Sequence, residues 1–123
     1  NVIIYDYCNQ MSSIYKEVDI VVSRSGAMTI SELINFKIPS ILVPFKYSSE
    51  NHQLFNAKFL QNSLCSNLIE EDNFSEKTFL VTLKNMIKNQ RILDSMKSNF
   101  NNITTPNSLN IISTFIVKEK YAL

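Results

Sequence analysis

The sequence predicts an α/β protein in which a parallel β-sheet is flanked by helices. Short runs of mainly β-branched apolar residues, such as 18–22, have the composition of strands that are buried on both faces. Stretches with the apolar spacing of amphipathic helices lie between these runs, and such alternation favours parallel strands joined by right-handed crossovers. The 123 residues, of which 45% are apolar, are enough for a single domain, spanning 1–123, with its own core.

Individual residues mark where several of these elements begin and end. Pro39 follows the helix predicted at 27–36, because proline disfavours the helical conformation of the residue before it. Ser75 precedes Glu76 at the start of a later helix and has the side chain of an N-cap residue. Together these patterns predict strands at 2–5, 18–22, 40–43 and 66–69, and helices at 11–16, 27–36, 51–62, 75–87, 92–100 and 109–121.

The helix predicted at 27–36 is expected to bury one apolar side. Met28, Leu33 and Phe36 share that side, whereas Ile30 lies off it. We therefore expect the first three side chains to face the core of the domain.

A short polar turn, 23–26, joins the strand at 18–22 to this helix and holds Gly26, the only glycine of the chain. The first turn of the helix directs free N–H groups and the positive end of its dipole at the carboxyl edge of the strand, where anionic ligands collect in open sheets. Most such turns bind nothing, but a lone glycine indicates close approach of another group to the backbone. Glu32 lies two helical turns beyond Ser25, where a carboxylate could accept hydrogen bonds from both hydroxyls of a ribose. A solvated surface glutamate is the alternative.

Composition and charge exclude several classes of function. The net charge is +1 with acidic and basic residues interspersed, which argues against a nucleic-acid surface. His52 is the only histidine, and Cys8 and Cys65 lack CxxC spacing, so no metal centre is predicted. The cysteines are expected to be small buried residues of a protein in a reducing compartment. No run of about 18 apolar residues suggests a membrane span.

Three ordered sequence blocks resemble the C-terminal, donor-binding part of the MurG family of glycosyltransferases. They are RSGAMTISE at 24–32, IPSILVPF at 38–45 and HQLFNA at 52–57, with Asp19 before the first. The resemblance extends over about 2–71. It implies a Rossmann-like sheet that forms part of the C-terminal half of a two-domain, GT-B enzyme. Enzymes of this family transfer N-acetylglucosamine from UDP-GlcNAc to lipid I, which makes lipid II of bacterial peptidoglycan.

The resemblance also implies which residues contact UDP-GlcNAc. The segment around Cys8 and Met11 matches the part that holds the uracil, and Glu32 matches the residue that accepts the ribose hydroxyls. Arg24 is expected to buttress the turn or to pair with Asp19. For His52 alone, helix capping and exposure is the simpler interpretation. The complete set of expected substrate-binding residues is Cys8, Met11, Ser25, Gly26, Ala27, Met28, Thr29, Glu32, His52, Gln53 and Asn56.

No catalytic residue, metal ligand or cofactor is expected in this chain. The family's Gly-rich acceptor domain, which binds lipid I, is not represented, so the chain is expected to be an inactive fragment of a cytoplasmic enzyme that is peripheral on the bacterial inner membrane. Two other readings remain open. One is a non-catalytic nucleotide-sugar-binding subunit that docks on a separate acceptor-binding protein, and the other is a Rossmann-like scaffold without a ligand.

Overall fold

Three parallel strands form the centre of the described structure and lie side by side in the same order as in the sequence. The computed structural model of the chain describes residues 1–104. The parallel arrangement predicted from the alternation of strands and helices is therefore confirmed. The elements are α1 (Met11–Tyr15), β1 (Val21–Ser23), α2 (Ala27–Phe36), β2 (Ser40–Leu42), α3 (His52–Asn62), β3 (Ser66–Leu68), α4 (Glu76–Ile87) and α5 (Gln90–Asn99), with single 3₁₀ turns at Ser49–Asn51, Glu71–Asn73 and Phe100–Asn102.

The central strand β2 separates two apolar clusters, because successive side chains of a strand point to opposite faces of the sheet. Leu42 packs with residues of α2 and α3, among them Leu33 and Leu60. Ile41 packs on the other face with residues of α4 and α5, among them Met86. All five of these side chains are essentially inaccessible to solvent. The sheet is thus covered by helices on both faces, as the sequence predicted.

The predicted bounds of α2 are confirmed, and so is the cap of α4. Ser75 is the N-cap of α4, and its hydroxyl oxygen accepts a hydrogen bond from the N–H of Thr78 at 3.1 Å. Cys65 is buried as expected, and burial raises the pKa of its thiol to about 11. Cys8, in contrast, is only partly buried.

The prediction of a strand at 2–5 is wrong. This segment is not in the sheet, and its apolar side chains are largely exposed, with Ile4 at 85%. A run of β-branched residues becomes a strand only where a neighbouring strand supplies hydrogen bonds and a packed face, and no strand of 1–104 pairs with it.

The second predicted strand is shorter and less buried than the sequence indicated. It begins at Val21 instead of 18, and Val22 is 48% exposed. Within the described residues β1 is paired only with β2, so it is an edge strand and is less covered than the fully buried central strand β2.

The core-facing side of α2 was predicted correctly for Leu33 but wrongly for Met28 and Ile30. Ile30 and Leu33 are buried and Ile34 is partly buried, whereas Met28 is 78% exposed. The buried residues follow the spacing i, i+3, i+4, which places Met28 on the opposite side of the helix. Phe36 packs at the border of the core. The last predicted helix, 109–121, lies outside the described residues.

Candidate functional site

The segments that follow the three strands meet at one edge of the sheet, because parallel strands present their carboxyl ends together. The N–H of Val43 donates to the carbonyl of Ser23 at 2.9 Å, and the N–H of Ile69 donates to the carbonyl of Leu42 at 2.9 Å. The turn at 24–26, the loop at 43–51 and the loop at 69–74 therefore lie side by side. Open α/β sheets bind their ligands at this edge.

Ser25 joins the turn before α2 to the start of α3. Its side chain is fully buried, and its hydroxyl donates a hydrogen bond to the carbonyl of Gln53 at 2.6 Å. Its own carbonyl accepts a hydrogen bond from the side-chain amide of Asn56 at 3.0 Å. The hydroxyl and the carbonyl of Ser25 thus both have partners within the protein, which fixes the backbone next to Gly26; contact of Ser25 with a substrate stays a prediction.

Gly26 is the N-cap of α2 and lies beside open space. Its φ of −62° and ψ of 155° are accessible to any residue, so the backbone itself does not require glycine. A Cβ built at this position would meet no heavy atom within 4 Å, so packing does not require glycine either. The position is therefore open to a group from outside the chain, whose close approach to the backbone stays a prediction.

The first turn of α2 is open to an anion. Gly26 provides no side chain to cap the helix, and the first turn contains no acidic residue. Ala27 and Met28 are exposed and Thr29 is partly buried, so the start of this helix is accessible from solvent. Unsatisfied N–H groups and the helix dipole favour a negatively charged group at such a terminus.

Arg24 buttresses this turn, and its expected pairing with Asp19 is wrong. One Nη donates to the carbonyls of Val43 at 3.2 Å and Pro44 at 3.4 Å, and the other pairs with Glu71 at 2.6 Å. Asp19 lies near Lys97 instead, with 3.6 Å between the charged atoms. The pairing failed because Asp19 precedes β1 and Arg24 follows it, so the strand separates the two side chains.

The residues expected at the sugar lie at the start of α3, next to the turn. His52 is the first residue of α3, and its Nε2 is 3.4 Å from a carboxylate oxygen of Glu50. The side-chain oxygen of Gln53 accepts a hydrogen bond from the N–H of Phe45 at 2.9 Å, which fixes the loop after β2. Asn56 holds the turn through the carbonyl of Ser25. The side-chain amides of Gln53 and Asn56 therefore both hold backbone segments in place in this structure, and their contact with a sugar stays a prediction.

Glu32 faces a partner that the sequence did not indicate. The hydroxyl of Tyr15 donates a hydrogen bond to Oε2 of Glu32 at 2.9 Å. Burial, together with this hydrogen bond and the charge of Glu32, raises the pKa of Tyr15 to about 12. Tyr15 lies in the helix predicted at 11–16, and the signal in the sequence was its hydroxyl, because a buried tyrosine usually finds a hydrogen-bond partner.

The segment expected to hold a uracil leads into α1. Cys8 lies three residues before Met11, the first residue of that helix, and both retain access to solvent. Because Tyr15 of α1 bonds to Glu32 of α2, the segment is tied to the helix whose start is open to an anion. Among residues 1–104, no group of three or more histidine, cysteine, aspartate or glutamate side chains could hold a metal ion.

Comparison with known proteins identifies relatives of this chain. Curated relatives named UDP-N-acetylglucosamine--N-acetylmuramyl-(pentapeptide) pyrophosphoryl-undecaprenol N-acetylglucosamine transferase include one from Prochlorococcus marinus (strain MIT 9515), 42% identical over 118 residues. Another, from Desulforamulus reducens, is 34% identical over 118 residues. The matched regions are 89% and 96% of this chain but 32% of each relative, so the chain spans about a third of their length.

A solved structure has the same fold. The crystal structure of Acinetobacter baumannii MurG matches 91% of this chain and 32% of its own chain, with a TM-score of 0.74 and 24% sequence identity. The model of the glycosyltransferase family 28 C-terminal domain matches residues 1–110. This match covers most of the chain, including the three strands described above and the whole candidate site. The chain therefore belongs to the glycosyltransferase family 28 C-terminal domain family.

Proposed function

We propose that this chain is the donor-binding part of a glycosyltransferase that transfers N-acetylglucosamine from UDP-GlcNAc to lipid I. The product of this hexosyl transfer is lipid II of peptidoglycan. Membership of the family and the names of the relatives support this proposal. The alternative of a non-catalytic subunit of a split transferase gains nothing from these comparisons.

One observation carries the proposal, namely the open start of α2 at Gly26. The space beside Gly26 is empty of protein atoms within 4 Å of a built Cβ, and the helix terminus behind it lacks an internal acidic partner. The diphosphate of UDP-GlcNAc would occupy this space and accept hydrogen bonds from the N–H groups of Ala27, Met28 and Thr29. The helix dipole contributes roughly 0.3–1 kcal/mol to such an interaction at an exposed site.

Glu32 would bind the ribose of the same donor. Tyr15 bonds to one carboxylate oxygen, Oε2, and thereby fixes the orientation of the carboxylate. Because Tyr15 holds the carboxylate, the other oxygen, Oε1, has a defined position and would accept a hydrogen bond from a ribose hydroxyl. The uracil would lie against the segment of Cys8 and Met11, which the same hydrogen bond ties to α2.

His52, Gln53 and Asn56 would lie near the sugar, at the start of α3. The Nε2 of Gln53 and the Oδ1 of Asn56 are the ends of these amides that the hydrogen bonds described above do not use. They would recognise hydroxyl groups of N-acetylglucosamine. Together with Ser25, which fixes the backbone beside Gly26, these assignments cover the substrate-binding set expected from the sequence.

The acceptor would be bound by a separate domain of the transferase, so we expect no turnover by this chain alone. Transfer requires the anomeric carbon of the donor and the acceptor hydroxyl to be held in reactive geometry. No helix within residues 1–104 has the length and apolarity needed to cross a bilayer. Contact of the whole enzyme with the cytoplasmic face of the membrane belongs to this proposal.

The test is nucleotide selectivity, measured by titration calorimetry with UDP, UDP-GlcNAc and ADP. The account predicts binding of both uridine nucleotides and markedly weaker binding of ADP, since only the base differs between UDP and ADP. Equal affinity for UDP and ADP would contradict the uracil assignment at Cys8. Absence of binding by both uridine nucleotides would contradict the proposed function.

A further inference from the structure

Glu71 connects all three loops at the carboxyl edge of the sheet. It lies in the 3₁₀ turn that follows β3. Its Oε1 accepts a hydrogen bond from Arg24, in the turn after β1, at 2.6 Å. Its Oε2 accepts a hydrogen bond from the backbone N–H of Lys46, in the loop after β2, at 3.1 Å. Both oxygens of this one carboxylate thus accept hydrogen bonds from groups of two other loops.

The contacts of Glu71 continue to the open start of α2. Arg24 also donates to two carbonyls in the loop after β2, and its guanidinium lies 5.6 Å from the ring centroid of Phe45. The N–H of Phe45 donates to the side chain of Gln53, and the carbonyl of Gln53 accepts the hydroxyl of Ser25. A continuous set of hydrogen bonds and ring contacts therefore links Glu71 to the residue before Gly26.

The ion pair between Arg24 and Glu71 orders the loops around it more than it stabilises the whole fold. The side chains of Arg24 and Glu71 are 49% and 31% exposed, and partly exposed ion pairs contribute little to the stability of a fold. The adjacent backbone, in contrast, is strained, because Glu50 and Asn51 both have left-handed φ angles, 52° and 55°. A loop with such a backbone keeps one conformation only if contacts elsewhere hold it.

We propose that Glu71 is a positioning residue for donor binding. By holding Arg24 and the N–H of Lys46 together, it fixes the loop at 43–51 and, through Gln53, the turn that carries Gly26. Glu71 itself touches no substrate in this scheme. The inference rests on the proposed function, since it assigns Glu71 a role at the same UDP-GlcNAc site.

The test compares Glu71→Ala with Glu71→Gln and with a control, Asp72→Ala, in the 123-residue chain. Asp72 is adjacent and acidic, but among residues 1–104 it pairs only with the side-chain amine of Lys46, at 2.7 Å. Glu71→Ala is expected to weaken UDP-GlcNAc binding roughly tenfold, because it releases two loops at once. Glu71→Gln keeps an oxygen for the N–H of Lys46 but places an amide NH₂ group opposite the guanidinium of Arg24, so it should restore only part of the affinity. Asp72→Ala should bind within about twofold of the wild type.

Two further readouts separate positioning from a general loss of structure. Urea unfolding midpoints of the three variants should stay close to that of the wild type. In amide NMR spectra, Glu71→Ala should shift the signals of Phe45 and Lys46, and Glu71→Gln should return them toward their wild-type positions. Equal UDP-GlcNAc affinity of the wild type and Glu71→Ala would overturn the role of Glu71 but not the proposed function. A wild-type chain that does not bind UDP-GlcNAc would overturn the proposed function and this inference with it.

Discussion

Tyr15 and Ser25 show how single buried hydroxyls determine the geometry of the candidate site. Ser25 is inaccessible to solvent and bonds to α3, while Tyr15 bonds to Glu32 of α2. Neither role follows from residue type alone, since the partners are 28 and 17 residues away in sequence. The sequence could name Ser25 and Glu32 as site residues, but only tertiary contacts reveal what their side chains do.

At the residue scale, Glu32→Ala is predicted to weaken UDP-GlcNAc binding by about 1.5–3 kcal/mol through loss of a charged hydrogen-bond acceptor. The same change leaves the buried hydroxyl of Tyr15 without its acceptor, which costs about 1–3 kcal/mol of folding stability. The matched variant Tyr15→Phe retains the carboxylate and removes the hydroxyl. Calorimetry and urea unfolding on both variants separate the two effects; unchanged donor affinity in Glu32→Ala would return Glu32 to a structural role.

The raised pKa of Tyr15 predicts a loss of stability at high pH. The folded protein favours the neutral phenol, so the contribution of Tyr15 to stability is fully present below pH 10, the ordinary pKa of tyrosine. It is lost as the pH rises from there through the folded-state pKa of about 12. Urea unfolding at a series of alkaline pH values should show this decline in the wild type and a smaller one in Tyr15→Phe. Identical pH dependence of the two proteins would contradict the assignment.

At the scale of elements, helices whose ends carry local signals were predicted well. The bounds of α2 agree with the prediction, and Ser75 caps α4 as expected, because a cap depends on residues within one turn. The strands were less predictable. Residues 2–5 and 18–22 have similar composition, yet only part of the second is paired, since pairing depends on a neighbouring strand.

The cap of α4 supplies a prediction at this scale. Ser75→Ala removes the acceptor of the Thr78 N–H and should lower the free energy of unfolding by about 1 kcal/mol. Ser98→Ala is the matched control, because Ser98 is an exposed residue within α5 and alanine is the better helix former there. Urea unfolding of both variants is the measurement. If Ser98→Ala lowered the free energy of unfolding as much as Ser75→Ala, loss of the cap would not explain the effect of Ser75→Ala.

At the scale of the whole molecule, parallel strands bring residues from distant parts of the sequence to one edge. Arg24, Lys46 and Glu71 lie in different loops and meet because each loop follows a strand of the same sheet. The parallel sheet and the turn at Gly26 could be predicted from the sequence, since alternation and glycine content are local. The role of Glu71 could not, because an acidic residue in a polar loop is ordinary and its partners lie on two other loops.

The most direct test of the account is the affinity of Gly26→Ala for UDP-GlcNAc. A Cβ at this position meets no protein atom within 4 Å, and the backbone is in an extended conformation, so the fold should accept alanine with a stability change of about 1 kcal/mol or less. The same Cβ would occupy the space assigned to the diphosphate. We predict an unfolding midpoint close to that of the wild type together with UDP-GlcNAc binding weakened at least roughly tenfold, the equivalent of about 1.4 kcal/mol. A stable Gly26→Ala chain that binds UDP-GlcNAc as tightly as the wild type would contradict the placement of the donor at the start of α2.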